Sequence, residues 1–231
     1  VENSLLTDTH IYVIFSLMNK VLEIIIQLGV VLFAISLHES AHAWVAYKFG
    51  DPTARNLGRV TLNPIPHIDP IGTIIFPIIL AVIGGPVFGW AKPVPVNPYN
   101  FRNPRRANMI VSAAGPGSNI LAAGAGVIIF LILKHGGVFS GDLAYGIKLV
   151  IFKIFLYLII LNIFLAIFNL IPIPPLDGSG IVEGMLRGEA LHYYETIKPY
   201  GFIILLVIIY AGVLDVIARP IISLISSILG L

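Results

Sequence analysis

The chain of 231 residues contains no cysteine, which excludes a disulfide framework, thiolate nucleophiles and every cysteine-ligated metal site. Charge is scarce as well: 11% of residues are Asp, Glu, Lys or Arg, and the formal net charge is +2. A soluble domain carries about 25% charged residues, and a nucleic-acid partner calls for a larger basic excess than this. Internal repeats and low-complexity tracts are missing too, so solenoids and biased tails drop out. Any metal must therefore be held by His, Asp or Glu.

Hydrophobic residues fill the gap, at 57% of the chain. Crossing about 30 Å of hydrocarbon takes about 20 mostly apolar residues as helix. Residues 21–49, 108–133, 147–170 and 202–231 meet that requirement, the last as one helix or as two broken at Arg219-Pro220. Residues 5–18 read as a short extra helix or an interfacial piece. The expected fold is an α-helical integral membrane protein, a single domain over residues 1–231. It would be a bundle of about five to six transmembrane helices with short extended or re-entrant elements near the active site. A multi-pass membrane protein, in contact with the lipid bilayer and with no nucleic acid, fits this composition.

Seven of the fourteen basic residues lie between Lys48 and Arg106. Basic loops stay on the cytoplasmic side. Within that stretch the apolar run 71–90 is interrupted by Pro77, Gly84, Gly85 and Pro86. A crossing there would separate Lys92 and the arginines after it from Lys48, so an element that dips into the membrane and returns is preferred. Residues 58–70 read as a short strand leading into a loop, and prolines at 93, 95 and 98 force residues 89–98 to be extended.

The chemistry sits in H-E-S-A-H at 38–42. His38 and His42, four residues apart, lie one turn apart on the same face of a helix and can turn ring nitrogens to a single cation. Glu39, beside that face, is placed to take a proton from an attacking water. The bland alternative is two packed histidines with a stray acid. Against it, the motif interrupts a long apolar run, where each charge costs at least about 2–3 kcal/mol and usually marks function. A catalytic zinc site ordinarily has a third protein ligand. The candidates are Asp177, set in the proline-broken L-I-P-I-P-P-L-D-G at 170–178, and His67. Asp177 also reads as a turn residue before glycine, and His67 as an ordinary loop histidine.

Taken with G-D-P-T-A-R-N-L-G-R (50–59), L-N-P-I-P-H-I-D-P-I-G (62–72), G-W-A-K-P-V-P-V-N-P (89–98), A-G-P-G-S-N (114–119) and N-L-I-P-I-P-P-L-D-G (169–178), the chain resembles the site-2 protease family of intramembrane zinc metalloproteases over about residues 30–184. Within that family it resembles the compact group without PDZ or CBS domains. The resemblance implies one zinc ion per chain on His38, His42 and Asp177, Glu39 as general base, and protein substrates cut in or near their transmembrane segments. Asn169 resembles the family's substrate- or oxyanion-binding Asn, although a helix C-cap suits it equally. Asn119 and Pro116 read as a helix start and packing element. Two other classes stand beside this one: a membrane zinc or proton transporter, and an inactive relative that only binds membrane segments. A transporter is disfavoured by the missing repeat, and a binder by the presence of Glu39.

Overall fold

The computed structural model describes residues 2–83 and 89–230. The protein is built on α1 (Glu2–Lys48), α2 (Thr53–Asn56), α3 (Phe76–Val82), α4 (Pro104–His135), α5 (Tyr145–Leu170), α6 (Asp177–Met185), α7 (Glu189–Ile197), α8 (Gly201–Tyr210) and α9 (Val213–Leu229). No strand occurs among the described residues. The expected strand at the start of 58–70 is therefore absent: that segment bends into a single 3-10 turn at Ile65–His67. Residues 89–97 form no helix and join no ladder, in keeping with the extended run their prolines lead one to expect.

Among the described residues four stretches are long and apolar enough to cross a membrane, namely Ser16–Lys48, Pro104–His135, Tyr145–Leu170 and Gly188–Tyr210, and Pro70–Leu80 and Arg219–Leu229 are shorter apolar helices. Residues 5–18 form no separate piece, because α1 runs through them without a break. The C-terminal segment divides at Gly212, in the left-handed region at φ 70°, and not at Pro220, which lies inside α9. A glycine accepts that backbone without strain, and the chain breaks where it stands.

α4 is the axis of the bundle, packing against α1, α5 and α6. Helices in a bilayer gain little from burying apolar surface against one another, so close approach through small residues carries the packing. Accordingly, a Cβ on Gly126 would press on Ile159 at 3.1 Å, one on Gly180 would strike Ser112, and one on Gly184 would reach Met109 at 2.5 Å.

The two ends of the run 71–90 lie together, while Gly84, Gly85 and Pro86, on which the re-entrant expectation turns, lie outside the described residues. Trp90 N donates to Gly72 O at 3.1 Å, Thr73 Oγ1 donates to Trp90 O at 2.9 Å, and Lys92 N donates to His67 O at 2.9 Å. The run thus returns to where it left. Arg59, buried, donates to the carbonyls of Pro66, Lys92 and Pro93 and holds the outgoing and returning segments together. Burial pulls its pKa down, while the Glu39 carboxylate opposes that shift. A second tie is Asp51, whose carboxylate accepts from Asn97 N and Asn100 Nδ2, both at 2.7 Å, and from Thr53. Burial pushes its pKa up, but those hydrogen bonds outweigh the effect and hold it below the ordinary range.

Candidate metal centre

His38 and His42 are both buried on α1. Helical periodicity brings their Nε2 atoms to 3.1 Å of each other. Asp177 arrives from the other end of the chain. The prolines at 172, 174 and 175 end α5 at Leu170, and α6 starts at Asp177 itself. Gly178 lets that start fold back on α5, since a Cβ there would overlap the carbonyls of Leu170 and Ile171. Asp177 Oδ2 then sits 3.0 Å from His38 Nε2 and 3.2 Å from His42 Nε2.

The protons of this cluster point outward. His42 Nδ1 donates to Val111 O at 2.7 Å, and a carbonyl can only accept, so the Nε2 of a neutral His42 carries a bare lone pair. His38 Nδ1 lies 2.6 Å from Asn119 Oδ1, which accepts in the same way. In their neutral forms the two imidazoles therefore turn lone pairs toward a carboxylate oxygen, and among the described residues Asp177 Oδ2 is buried without a hydrogen-bond partner. Such an arrangement asks for a cation. The three donor atoms lie within 4.8 Å of one another, and their 3.0–3.2 Å separations approach the roughly 3.3 Å between neighbouring donors around tetrahedral zinc, with bonds of about 2.0–2.1 Å. Two neutral histidines and one carboxylate are also the donor set that suits zinc.

Glu39 is half-buried beside the cluster, and its charge acts on both His42 and Arg59. His67 is not part of this group. It is buried in the loop, with Nε2 3.0 Å from Thr61 O. Asn169 stands in the last turn of α5, where its Nδ2 donates back to Leu165 O at 3.0 Å. Asn119 is no helix start. α4 begins fifteen residues earlier at Pro104, capped by Asn103, and continues through Pro116.

Three contributors were not anticipated from the residue pattern: Asn119 as the partner of His38, the Val111 carbonyl as the partner of His42, and Gly115. A Cβ on Gly115 would overlap His42 Nε2 and the His38 ring, so glycine there is what lets α4 lie against the two histidines. One signal could have found Asn119, and Asn162 behind it. Both are amides inside apolar membrane helices, and the rule that singles out His38 applies equally to them.

The centre lies within an apolar span, Ser16–Lys48. His42 is six residues from the Lys48 end of α1, or roughly 9 Å at 1.5 Å per residue.

The model of a family described as peptidase family M50 matches residues 137–209, a stretch containing Asn169 and Asp177. The chain is 43% identical over 181 residues to a Bacillus subtilis protein named "Putative zinc metalloprotease YwhC", covering 76% of this chain and 75% of that one. It is 30% identical over 184 residues to "Putative zinc metalloprotease Rip2" of Mycolicibacterium smegmatis, covering 80% of this chain and 66% of that one. The Mycobacterium tuberculosis protein of the same name is 29% identical over the same shares. No solved structure matches the chain.

Proposed function

Because the chain belongs to peptidase family M50, the site-2 proteases, we propose that His38, His42 and Asp177 hold its zinc, that Glu39 is the general base, and that it cuts transmembrane or membrane-proximal segments of other proteins in a prokaryotic inner membrane. The observation that carries this reading is the convergence of two Nε2 lone pairs and one carboxylate oxygen at 3.0–3.2 Å on a helix apolar enough to cross a membrane. Bound zinc supplies Lewis acidity, lowering the pKa of water from about 15.7 to about 7 and polarising a carbonyl. The chain's own residues do the rest. Glu39 takes the proton of the attacking water and passes it to the leaving amine. Asn119 and the Val111 carbonyl hold the imidazoles with Nε2 inward. Asn169 enters as an oxyanion donor only if its Nδ2 leaves the Leu165 carbonyl on substrate binding.

The reading is tested by purifying the protein in detergent, measuring zinc, and following cleavage of a single-span reporter. The expected result is one zinc per chain, loss of cleavage on chelation, and recovery on adding zinc back. Cleavage that persists after the metal is stripped would overturn it.

Substrate entry follows from the same geometry. A helical substrate keeps its scissile carbonyl in its own hydrogen bonds, so it must unwind before attack. Residues 89–97, kept out of helix by their prolines, pair with no strand among the described residues and are tied through Arg59 to a loop close to Glu39. They offer an edge to which an unwound segment can add. Reporters carrying Gly, Pro or Asn near the cut are therefore expected to be cleaved faster than all-Leu versions, by roughly fivefold for one Gly, since each Gly removes about 1 kcal/mol of helix stability. Equal rates for strong and weak helices would contradict this entry route.

A further inference from the structure

We propose that Asn162, which hydrogen-bonds Asn119 and Leu158 O and none of the three proposed ligands, is a positioning residue that helps set the tautomer of His38 through Asn119. This rests on the reading of His38 as a zinc ligand.

The two histidines are held differently. His42 faces a main-chain carbonyl, which can only accept, so its tautomer is fixed by the backbone of α4. His38 faces a side-chain amide, which presents either an oxygen or an NH2 group depending on which way it is turned. Were Asn119 turned to offer NH2, His38 would keep its proton on Nε2, pointing into the metal position.

The direction is imposed from two sides, weakly by the Ala34 carbonyl of α1 and more closely, from α5, by Asn162. Asn162 Nδ2 donates to Leu158 O at 2.8 Å, and since that carbonyl can only accept, Asn162 must show its Oδ1 to Asn119. Asn119 therefore turns its Nδ2 toward Asn162 Oδ1, at 2.8 Å, with Ala34 O a second acceptor at 3.3 Å. That leaves Asn119 Oδ1 for His38 Nδ1 at 2.6 Å. Asn119 and Asn162 are both 0% exposed, so neither bond is open to bulk solvent. The polarity of α5's backbone is thus carried across α4 to α1 and ends as a lone pair on His38 Nε2.

The test uses the full chain in lipid nanodiscs, with 15N-labelled histidine in the metal-free protein and zinc titration in parallel. In the wild type, the His38 signals report Nδ1–H. Asn162→Leu is expected to shift them toward Nε2–H and to raise the zinc dissociation constant about tenfold, the lower end of what outer-shell partners cost. Asn119→Leu should do the same, and the double variant should lie within about twofold of Asn119→Leu, because both act on one chain of bonds. Asn162→Asp, kept protonated by its buried apolar site, donates its OH to Leu158 O, still shows an oxygen to Asn119 and should retain the wild-type tautomer. It also covers the case in which the leucine variant does not fold. An unchanged His38 tautomer in Asn162→Leu, losses that add in the double variant, or failure of Asn162→Asp to rescue would overturn the proposal. If His38→Ala kept full zinc affinity, the ligand reading would fall instead, and the metal-free tautomer shift would still decide the role of Asn162.

Discussion

Replacing Glu39 with glutamine is expected to leave zinc bound and to lower reporter cleavage by at least about 100-fold, since general base catalysis contributes typically 10²–10⁴. Glutamine has the size and shape of glutamate and keeps the local packing on α1, but it cannot accept the proton of the attacking water. Glu39 is outside the group of three candidate ligand atoms, so zinc content should remain at the wild-type value. This separation of the two readouts makes the substitution informative. Loss of zinc along with activity would place Glu39 among the ligands. Cleavage within about tenfold of wild type, well short of the general-base contribution, would remove it from the chemistry altogether. The neighbouring Arg59 sharpens the expectation. Its guanidinium is held by three loop carbonyls and also interacts with the Glu39 charge, so the neutral variant leaves that loop intact while relaxing only its electrostatic link to α1.

What the sequence discloses about this protein depends on how local each feature is. The spacing of His38 and His42 is a property of one helix turn, so the pair and its adjacent acid could be read directly. The proline-broken run could be read as a place where an acid is held at the end of a helix, and the structure brings Asp177 to the histidines from the far end of the chain. The partners of the histidines were a different matter. Val111 contributes only a carbonyl, which no residue type announces. Gly115 matters because of what lies opposite it. Asn119 stands in A-G-P-G-S-N, where the proline suggests a helix start, whereas α4 starts at Pro104 with Asn103 as its cap and runs on through Pro116. The C-terminal break fell at Gly212 and not at Pro220 for a related reason. Proline is tolerated inside a membrane helix where neighbours satisfy the freed carbonyl, whereas a left-handed glycine ends one.

Removing the proposed third ligand should have the largest effect on the metal itself. Asp177→Ala is expected to raise the zinc dissociation constant by more than the roughly 100-fold upper end seen for outer-shell changes, and to abolish cleavage with it. The carboxylate supplies one of the three converging donors and the only negative charge among them, so two neutral imidazoles are left to hold a dication in a partly desolvated site. The substitution should spare the fold, because α6 is fastened by contacts that do not involve Asp177. Arg105 Nε donates to Gly184 O at 3.1 Å, and Lys198 Nζ pairs with Glu183 at 2.6 Å. Leu176, just before it, is buried with Phe168 and Leu205. Metal analysis of the wild type beside Asp177→Ala and His67→Ala then decides ligand number: His67, buried against Thr61 O, should keep full zinc when replaced. Stoichiometric, tightly held zinc in Asp177→Ala would show that the third donor lies elsewhere, and loss of zinc in His67→Ala would show where.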